Sequence, residues 1–127
     1  MMYEIRDGLY YTDEHEWISV DGRNVRFGMS DYAQHELGDV VYIELPAPGT
    51  HIVFGEEIGA MESVKSVEPI YAPVTGTIIE INPILADDPE SINRSPYDEG
   101  WMAVIEMDNT DGIKGLADSD SYRKKME

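Results

Sequence analysis

A mainly β fold with short helices is what this chain of 127 residues predicts. Two observations carry that expectation. Apolar, β-branched runs are short, and turn signals separate them: Asp21-Gly22, the string PAPG at 46–49 and the string APVTG at 72–76. Such punctuation belongs to hairpins and sheets rather than to long helices. The chain also holds no linker or low-complexity segment, and its length suits one hydrophobic core, so residues 1–127 are read as a single domain.

Taken in order, residues 16–20 and 24–28 flank Asp21-Gly22 and predict a hairpin. Ser30 can cap a short helix over 31–37, where Tyr32, Ala33 and Leu37 fall at helical spacing and Gly38 supplies the stop. Residues 40–45 are apolar enough for a buried strand, which ends at Pro46 because proline cannot donate to a central ladder. After a break at 55–57, strands over 58–64 and 66–71 lie on either side of Lys65. The turn at 72–76 leads to a strand over 77–81. Residues 87–93 read as helical turns, 95–100 as a loop and 101–107 as a strand. Asp118 or Ser119 can cap a last helix through Lys125, whose basic end suits the negative pole of the helix dipole.

Charge is lopsided, with 26 Asp plus Glu against 9 Lys plus Arg and a formal net charge of −17. A field of that sign repels phosphate backbones and anionic lipid heads, so no nucleic-acid or membrane role is expected; basic docking faces on partners suit it. Acidity also serves solubility, as in a salty cell. With no cysteine, the chain has no disulfide frame, no thiolate nucleophile and no cysteine-based metal site. The opening MMYEIRDG lacks the basic and apolar regions of an export signal, and no apolar run is long enough to span a bilayer. A cytoplasmic protein is therefore expected.

The strings of nucleophile elbows, phosphate loops, dinucleotide sites and zinc proteases are all missing, so neither a catalytic nor a metal site is expected. His15, read as a strand residue between Glu14 and Glu16, shares no ligand spacing with His35 or His51, and structural or solvated histidines are the simpler reading. The string NRS at 93–95 matches a glycosylation pattern with no secretory route to use it. Met29 and Met61 are core filler by default.

Lys65 is different. Apolar alternation runs up to it and resumes after it, yet MESVKSVEP at 61–69 contains no Gly, Asn or Asp to announce a turn. A hairpin tip that breaks the local rule marks a functional position. A type I turn tolerates these residues and would thrust the amine away from the sheet, which suits covalent attachment of an arm.

ESVK at 62–65 followed by YAPVTG at 71–76 resembles the lipoyl-attachment hairpin of the glycine cleavage system H protein family. The resemblance extends through YTDEHEW at 11–17, GMSDYAQ at 28–34, LGDVV at 37–41, ELP at 44–46 and SPYDEGWM at 95–102. It implies a barrel-sandwich hybrid, the hammerhead of lipoyl and biotinyl carriers, with a C-terminal helix and lipoate amide-linked to Lys65. A biotin carrier would set its lysine between methionines, where this chain has Val64 and Ser66.

The implied function is that of a non-catalytic carrier. Its lipoyl arm would take an aminomethyl group from glycine decarboxylase to a tetrahydrofolate-dependent aminomethyltransferase and be reoxidised by dihydrolipoyl dehydrogenase, once a lipoate-attaching enzyme has modified it. A monomer is expected. The missing cysteines fit, because the working sulfurs belong to the cofactor. By position, Glu16 matches an acidic residue that borders the docked, amine-bearing arm, Met29 an apolar wall and Glu62 a residue read by the attaching enzyme. One departure concerns Pro69, which stands where the family pattern has an acidic residue; Glu68, one step earlier, is expected to face the other way on its strand. The principal alternative keeps the carrier and changes the cargo: an H-like lipoyl-binding protein of sulfur oxidation that works with a heterodisulfide-reductase-like complex. A lipoyl relay protein and an unmodified interaction domain with Lys65 on its surface are further alternatives.

Overall fold

In the computed structural model, which describes residues 2–127, a two-residue strand β1 (Tyr10–Tyr11) precedes β2 (Glu16–Asp21) and β3 (Asn24–Met29). β2 and β3 pair antiparallel from Asp21↔Asn24 back to Glu16↔Met29. Gly22 sits at the tight connection with φ +64°, a dihedral that costs glycine nothing. Helix α1 (Asp31–Leu37) follows as expected: the Ser30 hydroxyl accepts from the Ala33 N–H, and Gly38 ends the helix at φ +81°.

β4 (Val40–Glu44), the short β5 (His51–Ile52), β6 (Glu57–Ser63), β7 (Val67–Tyr71) and β8 (Gly76–Ile81) come next. A 3₁₀ turn at Pro83–Ala86 and the helix α2 (Ser91–Arg94) lead to β9 (Ala103–Met107). After a second 3₁₀ turn at Thr110–Ile113, β10 (Ala117–Asp118) runs into α3 (Ser119–Lys125), whose cap is Asp118 accepting from the Ser121 N–H at 2.8 Å. The strands flanking Lys65 stop at Ser63 and restart at Val67, short of the expected ends because Val64 and Ser66 belong to the turn.

Two sheets result. One has seven strands in the order β10-β1-β2-β3-β9-β8-β5, and the other has three in the order β4-β6-β7. Their apolar faces share one core, in which Ile18, Phe27, Val40, Ile70, Ile78 and Ile105 are all 0% exposed. Each such side chain contributes about 2 kcal/mol by leaving water. A second buried cluster, aromatic throughout, joins Tyr11, Trp17, Tyr97 and Tyr122. Here the Trp17 indole donates to the Pro96 carbonyl at 2.8 Å, and Gly28 clears space for the ring, since a Cβ there would lie 2.8 Å from its nitrogen. This cluster ties the chain's beginning, the 95–100 loop and α3 to the end of β2. Among the described residues no helix is long and apolar enough to cross a membrane, and no three His, Asp or Glu residues group as metal ligands.

Candidate functional site

The tip between β6 and β7 owes its shape to Ser63. Its N–H donates to the Ser66 carbonyl at 2.8 Å, while its hydroxyl oxygen accepts from the N–H of Ser66 at 3.1 Å and of Lys65 at 3.3 Å. A serine side chain thus performs the task usually given to Asn or Asp. That signal was present in the sequence, so the tip does contain a turn residue, contrary to expectation. A further anchor comes from the loop after α1, where the Asp39 carbonyl accepts from the Val64 N–H at 3.0 Å.

Lys65 is exposed at this tip and forms no ion pair among the described residues, despite the chain's excess of carboxylates. Its stem does not simply project away from the sheet. It runs over Gly38, where a Cβ would lie 3.2 Å from Lys65 Cε and 3.7 Å from Cδ. Asn93, read from sequence only as a glycosylation pattern, holds this loop: its Nδ2 donates to the Gly38 carbonyl at 2.9 Å, and its Oδ1 accepts from the Val40 N–H at 2.9 Å.

Leu37, the neighbour of Gly38, is one wall of a cleft of about 420 Å³. The turn before β2 contributes Glu14 and His15, β2 itself Glu16, and β3 Met29. From α1 come Tyr32, Ala33 and Glu36 as well, and from β6 and β7 come Met61, Glu68, Pro69 and Tyr71. Four carboxylates therefore border the space, and no lysine or arginine does.

Glu16 is the most constrained of them. It is 1% exposed; its Oε1 accepts from the Thr12 hydroxyl at 3.1 Å, and its Oε2 has no partner. Burial pushes its carboxyl up to about 8; the Thr12 hydrogen bond opposes the shift and the neighbouring Glu14 adds to it. Near neutral pH the isolated protein keeps this group protonated.

His15 is not a strand residue, as the sequence suggested. It lies in the turn before β2 at φ +63°, where the Thr12 carbonyl accepts its N–H at 3.1 Å. Its Nδ1 is 2.8 Å from the Tyr122 hydroxyl, and burial, aided by Lys125, pulls the imidazole below its ordinary range, so the ring is neutral.

Of the residues singled out from sequence, Glu16 and Met29 come together as cross-strand partners on the cleft wall. Lys65 stands at the tip next to it, connected through Gly38 and Leu37. Glu62 lies apart, exposed in a cross-strand row between Tyr42 of β4 and Val67 of β7. The expectation that Glu68 would face away from Pro69 fails, since both line the cleft. β7 is the edge of its sheet, and the opening borders that edge, so successive residues can both reach it. Glu14, Glu36 and His15 were not selected from sequence as site residues; their role depends on how the turn and α1 face one another.

A family model described as "Glycine cleavage H-protein" matches residues 9–127. The chain is 48% identical over 114 residues to a glycine cleavage system H protein of Geobacillus kaustophilus (strain HTA426), covering 90% of each. It is 42% identical over 127 residues to a probable glycine cleavage system H protein of Haloarcula marismortui (strain ATCC 43049 / DSM 3752 / JCM 8966 / VKM B-1809), covering 100% of both. A crystal structure of a glycine cleavage system H protein from Mycobacterium marinum superposes with a TM-score of 0.87 at 33% identity, over 96% of this chain and 98% of that one. The likeness bears out the mainly β, barrel-sandwich architecture with a C-terminal helix expected from the sequence.

Proposed function

The chain belongs to the glycine cleavage H-protein family, a family of lipoate carriers, and from that premise we propose that Lys65 carries lipoate in amide linkage and that the Glu16 cleft shelters what the arm brings back. When bound, the group would supply a disulfide, one sulfur of which takes the aminomethyl group left by glycine decarboxylation while the other is reduced to a thiol. The residues present fit it. Lys65 has a free amine, Gly38 offers a floor without a Cβ beneath its stem, and Met29, Leu37 and Met61 give the adjoining cleft an apolar lining.

The observation that carries the choice of cargo is the cleft's charge. Glu16 has a buried oxygen without a partner, and Glu14, Glu36 and Glu68 surround the same space with no basic side chain. A protonated primary amine complements this lining, whereas an anionic sulfur-bound cargo would be repelled, which favours glycine cleavage over sulfur oxidation.

The chain's own part follows from the geometry. An arriving ammonium lowers the Glu16 pKa, so the carboxyl releases its proton to solvent and pairs as a carboxylate. His15, held neutral, adds no competing cation. Glu68 supplies the acidic group at the rim that Pro69 cannot. Tethering at Lys65 makes each partner visit a local event at high effective concentration. The partners in this reading are glycine decarboxylase, aminomethyltransferase, dihydrolipoyl dehydrogenase and a lipoate-attaching enzyme that reads Glu62.

The test incubates lipoylated protein with glycine and glycine decarboxylase and follows intact mass. One glycine-derived adduct is expected on wild type, and Glu16→Gln should lose it several-fold faster. No adduct, with another H protein loading normally alongside, would overturn the glycine reading in favour of sulfur cargo.

A further inference from the structure

Helix α3 lies outside the cleft lining, yet one of its side chains holds two of the cleft's walls. The Tyr122 ring is 1% exposed and stacks on Tyr11 with centroids 4.1 Å apart and planes at 4°. Packing therefore fixes the ring without help from its hydroxyl. That hydroxyl lies 2.8 Å from His15 Nδ1 and 3.1 Å from Ser30 Oγ. His15 belongs to the turn that presents Glu14 and Glu16, and Ser30 is the cap of α1, its Oγ accepting from the Ala33 N–H at 3.2 Å. One oxygen thus bridges the acidic turn and the cap of α1, two elements that both line the cleft.

A hydrogen-bond chain through these groups is complete in either direction. The Ser30 hydroxyl can donate to Tyr122 and Tyr122 to a bare Nδ1, or Nδ1–H can donate to Tyr122 and Tyr122 to Ser30. A neutral imidazole suits both arrangements. His15 is also the one non-glycine at positive φ among the described residues, a conformation that persists only where surroundings impose it. The Tyr122 contact and the His15 ring's packing on Tyr32, with centroids 4.6 Å apart, are such surroundings.

Resting on the carrier reading above, we propose that Tyr122 is a positioning residue for the cargo cleft: acting through His15, its hydroxyl sets how the acidic turn faces α1. Without that hydroxyl the turn relaxes, Glu14 and Glu16 move with it, and a bound ammonium is held less well. The Lys125–Asp13 ion pair at 2.9 Å reaches the same turn but is exposed and contributes little.

The test uses full-length protein as wild type, Tyr122→Phe, His15→Gly and the double variant. Glycine tolerates positive φ and carries no side chain to meet Tyr122, so it breaks the same contact from the other side. In unmodified protein, NMR of the His15 ring should be sharp in wild type and broadened or shifted in Tyr122→Phe; unchanged resonances overturn the clamp. After lipoylation and loading with glycine and glycine decarboxylase, Tyr122→Phe and His15→Gly should each lose the adduct several-fold faster, with no further loss when combined. Wild-type retention in Tyr122→Phe, or losses that multiply in the double variant, overturn action through His15. If wild type itself forms no adduct, the carrier reading fails before any substitution is compared, and this inference falls with it.

Discussion

Glu16 is a carboxyl group whose surroundings oppose its ionisation until a cation arrives. Its value of about 8, against an ordinary 4.5, means that the native state binds more protons than the unfolded chain between those two pH values. Stability therefore falls as pH rises through that window and levels off above it. Glu16→Gln should gain on wild type across the same window, on the order of 4 kcal/mol at its upper end. Denaturant unfolding at about pH 5 and about pH 8 measures the gain, and a difference that does not grow with pH contradicts the burial argument. Under the proposed function the same proton would compete with cargo: adduct retention by wild type should weaken from about pH 8 to about pH 6, while Glu16→Gln should show no such slope.

The β6–β7 tip and the loop after α1 act as a unit, and they differ in how readable they were. α1 was legible because its determinants are local: Ser30 begins it and Gly38 ends it, and both are adjacent in sequence to what they cap. Lys65 was legible as an exposed tip residue, but the cause of the turn was not, because a serine hydroxyl is a weaker turn signal than Gly, Asn or Asp and only the folded tip shows Ser63 accepting two backbone N–H groups. β1, β5 and β10 carry no readable period at two residues each; their pairing with neighbouring strands in the assembled sheet defines them. His15 gave no local hint of positive φ, since the groups around it lie on α1 and α3. Two substitutions test the unit. Ser63→Ala removes the turn's side-chain acceptor at a cost of about 1 kcal/mol and should slow lipoylation of Lys65, read as the rate of mass conversion. Gly38→Ala meets both the strain of φ +81° and contact with the Lys65 stem, and should lower the melting temperature by the equivalent of about 1 kcal/mol or more.

Over the whole molecule, two sheets share a core, an aromatic cluster fastens the chain's beginning and end to β2, and the surface carries most of a net charge of −17. Composition made the charge and the missing thiols plain from the outset, whereas the cleft exists only once β2, β3, α1, β6 and β7 are assembled. Self-repulsion at this charge predicts a melting temperature that climbs with added salt as the Debye length shrinks from about 10 Å at 0.1 M to about 3 Å at 1 M. A melting temperature indifferent to salt would mean that the acidic surface does not strain the fold. Lys65 forms no ion pair among the described residues and stands beside an acidic cleft, so the proposed carrier function turns on what Lys65 carries. Intact and peptide mass spectrometry of protein produced with lipoate and its attaching enzyme tests this most directly. One lipoyl addition is expected, located on Lys65 and absent from Lys65→Arg; wild-type protein that remains unmodified beside a modified control carrier would contradict the attachment.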